Sequence, residues 1–176
     1  MRGNPRLFLP ILILLFFSAI PAHGWSGRVC GVADGDTISV LHDGRAVRIR
    51  LYGIDCPEKH QAFGQKAKTF TSQMAFGKLV EVDPVTRDRY GRIVAWVHVG
   101  GRCLNEEILR AGYAWHFKRY SRDRRLAEIE IQARNVRAGL WRDPGAVPPW
   151  EFRKARTRTN ADVAKTETRE GRPRIH

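Results

Sequence analysis

Apolar and polar positions divide the chain into stretches of different period. Between Ser26 and Asp55, the positions Val32, Ile38, Val40, Val47, Ile49 and Leu51 are apolar, mostly β-branched, and partly alternate with polar neighbours. That pattern predicts half-buried strands. Asp43-Gly44 interrupts the run. The pair suits a two-residue hairpin loop, because glycine accepts positive φ freely and aspartate accepts it better than most residues. A hairpin closed there pairs residues whose numbers sum to 87. Asp36 then faces Leu51, beside Arg50, and Asp55 falls just past the strand end. From His60 to Gly77 the period changes. Phe63, Ala67, Phe70 and Met74 recur at helical spacing and read as a core-facing stripe, with Gly77 as a stop. "KLVEVDP" and "RIVAWVHV" predict two further strands joined by the polar turn "VTRDRYG". "LNEEILRAG" predicts a short helix stopped by Gly112. "SRDRRLAEIEIQARNVRAGLW" predicts a longer one. Its cap would be Ser121, its buried stripe Leu126, Ile129, Ala133 and Val136, and its end Gly139.

These elements predict an α+β fold, mainly β. A small antiparallel sheet tends to close on itself to remove its edges. With a helix between the third and fourth strands, the expected architecture is a five-stranded OB-fold barrel with three helices. That plan often serves as a platform for oligonucleotides.

The two ends differ in texture. Residues 1–24 carry Arg2 and Arg6, an apolar run from Leu7 to Ile20, and then Ala22-His23-Gly24. This is the pattern of a secretory signal, with cleavage expected after Gly24. A retained anchor is the rival reading, although Pro10 and Pro21 interrupt the apolar stretch. The barrel domain is expected over 25–145. Residues 151–176 hold 8 Lys+Arg against 4 Asp+Glu and little apolar content. The segment 146–176 is therefore expected to be a disordered basic tail.

Charge narrows the choice of partner. The net charge is +13. Subtracting the two arginines of residues 1–24 leaves +11 on the exported chain. So basic a balance suits an anionic partner such as nucleic acid or an acidic membrane surface, and also suits a merely solubilising surface. The three cysteines, Cys30, Cys56 and Cys103, form no CxxC and no zinc-like spacing. An oxidising compartment would permit one disulfide. Cys30 with Cys103 is the preferred pair, because Cys56 lies inside the candidate site.

That site begins with an oddity: a very basic chain collects Asp34, Asp36, Asp55 and Glu58 near one hairpin end. Carboxylates at close range repel, so something positive must compensate. A hard divalent cation suits oxygen ligands. Asp34-Gly35-Asp36-Thr37 lacks the spacing and closing glutamate of an EF-hand, which excludes that identity. Arg50, on the hairpin strand, and Arg92, opening a later strand, match phosphate oxygens. A cation, two arginines and a free carboxylate can together cleave a phosphodiester. A non-catalytic nucleic-acid-binding barrel, with Arg50 and Arg92 in plain ion pairs, uses the same residues.

The motifs "DGDT", "RIRLYGIDCPE", "DRYGR" and "LNEEILRAGYA", in this order, resemble the staphylococcal (micrococcal) nuclease, or thermonuclease, family. The resemblance runs from about Ser26 to Trp141. It implies an OB-fold barrel that hydrolyses DNA and RNA with calcium and leaves 3′-phosphate ends. It implies calcium carboxylates at Asp36 and Asp55, a calcium-facing backbone carbonyl at Cys56, and a supporting role behind them for Asp34. Arg50 and Arg92 become the catalytic arginines and Glu58 the general base. Arg89, Tyr90 and Tyr120 fall at nucleotide-contacting positions. Cys56 departs from the threonine of the founding member and sets a thiol beside the site, which would make activity sensitive to oxidation or soft metals. The expected partner is nucleic acid alone. The protein is read as a monomer, exported to the periplasm or beyond, with no stable membrane association once the signal is removed. A surface protein held at the membrane by an uncleaved Leu7–Ile20 segment is the other class of reading.

Overall fold

The computed structural model describes residues 24–170, with side chains described to residue 159. The expected signal, but for its last residue, lies outside the described residues. Among the described residues there are eight strands: β1 (Trp25–Asp34), β2 (Thr37–His42), β3 (Arg45–Leu51), β4 (Ile54–Asp55), β5 (Leu79–Arg87), β6 (Ile93–Val99), β7 (Arg102–Cys103) and β8 (Trp115–His116). The helices are α1 (Gly64–Ala75), α2 (Leu104–Arg110), α3 (Arg124–Asn135) and α4 (Pro149–Glu170), with a short 3-10 turn at Gly139–Arg142.

Five strands close a barrel. β1 pairs with β2 and β5, β2 with β3, and β5 with β6, all antiparallel. A parallel pairing of β3 with β6, Ile49 opposite Ile93, completes the ring. This is the expected OB-type plan, with α1 between β3 and β5. The hairpin register is as the turn predicted, from Thr37 opposite Arg50 to His42 opposite Arg45. Asp43 and Gly44 both adopt positive φ, 48° and 73°, which suits the twist of the flanking strands. The alternation in β2, β3 and β6 directs Ile38, Val40, Ile49, Leu51, Ala95 and Val97 inward, all essentially inaccessible to solvent. α1, α2 and α3 cover one end of the barrel through Ala67, Leu104, Ile108 and Leu126. Asn105 is fully buried and ties α2 to the barrel: its amide accepts from Val97 N and donates to the carbonyls of Tyr52 and Ala95.

Three expectations need correcting. The stretch read as a disordered basic tail contains α4. It starts on a proline, whose fixed φ suits the first helical turn, and Trp150 packs on Trp115 and Phe117. Among the described residues there are therefore four α-helices where three were expected. Cys30, Cys56 and Cys103 are all free. β5 and β6 lie between β1 and β7, so Cys30 and Cys103 are separated by three strand spacings of about 4.8 Å each, beyond the roughly 7 Å that a disulfide spans. The cap of α3 is Asp123, whose carboxylate accepts from Leu126 N at 3.1 Å. Ser121 instead accepts from Asp123 N. The helix ends at Asn135, so Val136 leaves the buried stripe and is 75% exposed.

Candidate active site

Two tight backbone features bring the acids together. The first is the turn between β1 and β2. A Cβ on Gly35 would stand 2.8 Å from Ala67 Cβ and from both Cβ and Sγ of Cys56, so only glycine lets this turn press against α1 and the segment after β4. Asp34 Oδ1 accepts from Asp36 N at 3.2 Å, and Thr71 Oγ1 of α1 donates to Gly35 O at 2.6 Å. The second is the turn from β3 into β4. Gly53 has φ 74°, and a side chain there would run into Leu126. The chain then pairs Asp55 with Trp115 and Ile54 with His116 in the small β4–β8 ladder. The spacing "RLYGID" thus folds Asp55 back onto Arg50.

Arg50 is the hub. Its Nη2 donates to Asp55 Oδ1 at 2.8 Å, and its Nη1 lies 2.7 Å from Asp36 Oδ2. The second contact is ionic without hydrogen-bond alignment, which leaves Nη1 with an unspent donor. Asp36 Oδ2 also accepts from Cys56 N at 2.6 Å, and Thr37 Oγ1 lies 3.3 Å from Asp36 Oδ1. Burial pushes the Asp36 carboxyl up to about 8. Arg50 and the Cys56 N–H oppose that rise, while Asp34 and Asp55 add to it. The pull of one guanidinium thus does not offset the burial of Asp36. Burial and then Asp36 hold the Cys56 thiol well above its ordinary range. It carries little thiolate, and the expected sensitivity to oxidation or soft metals loses its chemical basis.

Glu58 directly follows Pro57 and is half-buried. Its backbone N–H donates to Gln61 Oε1 and its carbonyl accepts from Gln61 N, fixing the loop. Arg92 enters from the other side. Asp88 binds it through both backbone and guanidinium, Arg92 N to Oδ1 at 3.0 Å and Nε to Oδ2 at 2.7 Å. Arg92 Nη1 reaches Thr37 Oγ1 at 3.4 Å, next to Asp36. Burial would raise the Asp88 carboxyl, but these bonds and one from Tyr90 N outweigh it and hold it below its usual value. Asp88 is thus the strut that orients Arg92.

The structure gathers Asp34, Asp36, Arg50, Asp55, Cys56 and Glu58 into one cluster with Arg92 at its margin. Arg89, Tyr90 and Tyr120 lie further out. Tyr90 is 69% exposed, with the Arg89 guanidinium 4.8 Å from its ring. Tyr120 is 65% exposed and packs edge-on against Phe117 at 4.9 Å, which in turn stacks on Trp150. One site residue had no signal in the sequence. Arg153 of α4 donates from Nη2 to Asp55 Oδ2 at 2.7 Å and from Nη1 to Glu58 Oε1 at 2.7 Å. It was hidden among the many arginines of a segment poor in apolar residues.

Among the described residues, no group of three or more His, Cys, Asp or Glu side chains is arranged to hold a metal. The donors that do converge on Arg50, the carboxylates of Asp36 and Asp55, are hard oxygens. They fit calcium or magnesium better than a soft metal.

Residues 48–143 match the family model described as staphylococcal nuclease homologue. The chain belongs to the staphylococcal nuclease family. The enzyme is accordingly a hydrolase of phosphodiester bonds. An Escherichia coli protein named uncharacterized endonuclease is 40% identical over 149 residues, covering 84% of this chain and 97% of the relative. A micrococcal nuclease of Shigella flexneri is 37% identical over 149 residues, covering 78% and 86%. An uncharacterized endonuclease of Haemophilus influenzae is 35% identical over 154 residues, covering 86% of each. Arg153 lies beyond the residues that the family model matches.

Proposed function

We propose that this enzyme is an exported, calcium-dependent endonuclease that cuts DNA and RNA and leaves 3′-phosphate ends. The observation that carries the reading is the contact of two buried carboxylates, Asp36 and Asp55, with one buried guanidinium, Arg50, a single turn from the half-exposed Glu58. Asp36, Asp55 and the Cys56 carbonyl would hold the calcium ion. The ion would supply positive charge to the phosphate and to the carboxylates that hold it. Arg50 would bring its guanidinium charge to a phosphate oxygen. Glu58 takes the proton of the attacking water as the P–O bond to the 5′ oxygen breaks, and Arg92 stabilises the charge left on that oxygen. Tyr90 and Tyr120 offer exposed faces to bases. The net charge of +13 supports a polyanionic substrate.

Export is supported by the basic, apolar and small-residue order of residues 1–24. Among the described residues no helix is long and apolar enough to cross a membrane. The enzyme is proposed to act as a monomer without a protein partner.

The deciding experiment is hydrolysis of heat-denatured DNA by residues 25–176, with calcium and then with a chelator. Calcium-dependent release of 3′-phosphate ends is the expected result. Salt-sensitive binding without cleavage in either condition would instead make the protein a catalytically silent barrel.

A further inference from the structure

The two oxygens of Asp55 are held from opposite sides. Arg50 takes Oδ1 from within the barrel, and Arg153 takes Oδ2 from α4, 98 residues further along the chain. Arg153 also reaches Glu58 Oε1 at 2.7 Å and stands 3.4 Å from Asp55 Oδ1. One guanidinium thus bridges the carboxylate assigned to the cation and the carboxylate assigned to the water. We propose that Arg153 is a gating residue of the active site: it competes with the divalent cation for Asp55 while occupying Glu58, and α4 leaves its seat when the cation binds. This inference rests on the calcium reading given above.

The way α4 is attached suits a removable element. Arg50 is 14% exposed and cannot leave without opening the barrel, whereas Arg153 is 43% exposed at the rim. α4 belongs to no sheet. Its inner end is held by Trp150, stacked on Phe117 at 5.5 Å and edge-on to Trp115 at 5.9 Å, and by the preceding bond from Gln61 Nε2 to Val147 O. Beside this seam runs a cleft of about 230 Å³, lined by Pro57, Gln61, Phe63, Trp115, Val147 and Phe152. Phe152 of α4 lines this cleft, so part of the helix stands off the barrel.

Glu58 Oε1 is occupied by the Arg153 guanidinium, so departure of α4 also opens that carboxylate to water. Cation entry would therefore free the water-activating group in the same step that charges the site.

The test is calorimetric titration of calcium into the full exported chain, as wild type and as Arg153→Gln. Loss of a partly exposed pair of charge-assisted hydrogen bonds should tighten calcium binding roughly five- to tenfold. Trp150→Ala, which loosens α4 without changing any charge at the site, should tighten it by a smaller factor. In the wild type, calcium should speed trypsin cleavage within residues 153–158. Unchanged or weaker calcium binding by Arg153→Gln, in a wild type that still cleaves DNA with calcium, overturns the gate and leaves the nuclease reading intact. A wild type and variant that both fail to take up calcium overturn the calcium reading and the gate with it.

Discussion

The two guanidinium groups on Asp55 have very different standing. Arg50 grows from a barrel strand whose neighbours on both sides are paired, and it is nearly enclosed. Arg153 grows from a terminal helix that touches the barrel through a few aromatic rings. The same chemistry is therefore structural on one side and replaceable on the other. Buried charges tolerate no missing partner, because an uncompensated carboxylate in a poorly solvated site costs several kcal/mol. A charge at the rim can be exchanged for water or a metal ion at little cost. The nuclease keeps its permanent counter-charge inside the barrel and places the exchangeable one on an appendage.

Four perturbations separate these two regions. Arg50→Gln should be the most severe. It leaves Asp36 and Asp55 without their inner partner, and a stability loss of about 3–5 kcal/mol together with loss of cleavage is expected. Denaturant unfolding alongside a cleavage assay would show it; a stable, inactive variant would mean that Arg50 matters only to substrate. Glu58→Gln should do the reverse. Turnover is expected to fall by roughly 10²–10⁴-fold with unfolding little changed, and near-normal cleavage would remove Glu58 from the role of base.

Truncation after Pro148 should be milder. The five barrel strands close without α4, so cooperative unfolding and calcium-dependent cleavage should persist. The loss of Trp150 packing should cost about 1–3 kcal/mol. An unfolded product would show that α4 is part of the domain core. The smallest effect should come from His116, which sits beneath the site in β8 with both ring nitrogens buried and unpartnered. Burial lowers its pKa from 6.5, against the pull of Glu130. Its neutral form is favoured in the fold, so its contribution is complete above pH 6.5 and fades as the pH falls toward the lowered folded value. The slope should not exceed about 1.4 kcal/mol per pH unit. Thermal unfolding between pH 7.5 and 5.5 should therefore fall less steeply in His116→Phe than in the wild type. Equal slopes would mean that other groups govern the acid limb.

Much of the barrel and most of the acid cluster were legible in the chain. The Asp43-Gly44 loop set the register of β2 and β3, and that register with the "RLYGID" turn brought Asp36, Arg50 and Asp55 into contact. These are local rules: strand period, turn chemistry and a glycine where the backbone must reverse. The errors arose where a residue's surroundings come from far along the chain. Cys30 and Cys103 looked like a pair until β5 and β6 stood between their strands. Val136 kept the helical period but fell one residue beyond the helix.

The sequence by itself determined the five barrel strands, the hairpin register and the carboxylate and arginine types that make phosphodiester chemistry available, because each follows from near neighbours. Only the tertiary structure decided that Asp88 would orient Arg92, that Cys56 would be buried as an inert thiol, and that Arg153 would cross to Asp55 and Glu58. A charged side chain in a polar, helical stretch carries no mark of its partner. Coulomb attraction and aromatic packing select that partner only after the chain has folded back on itself.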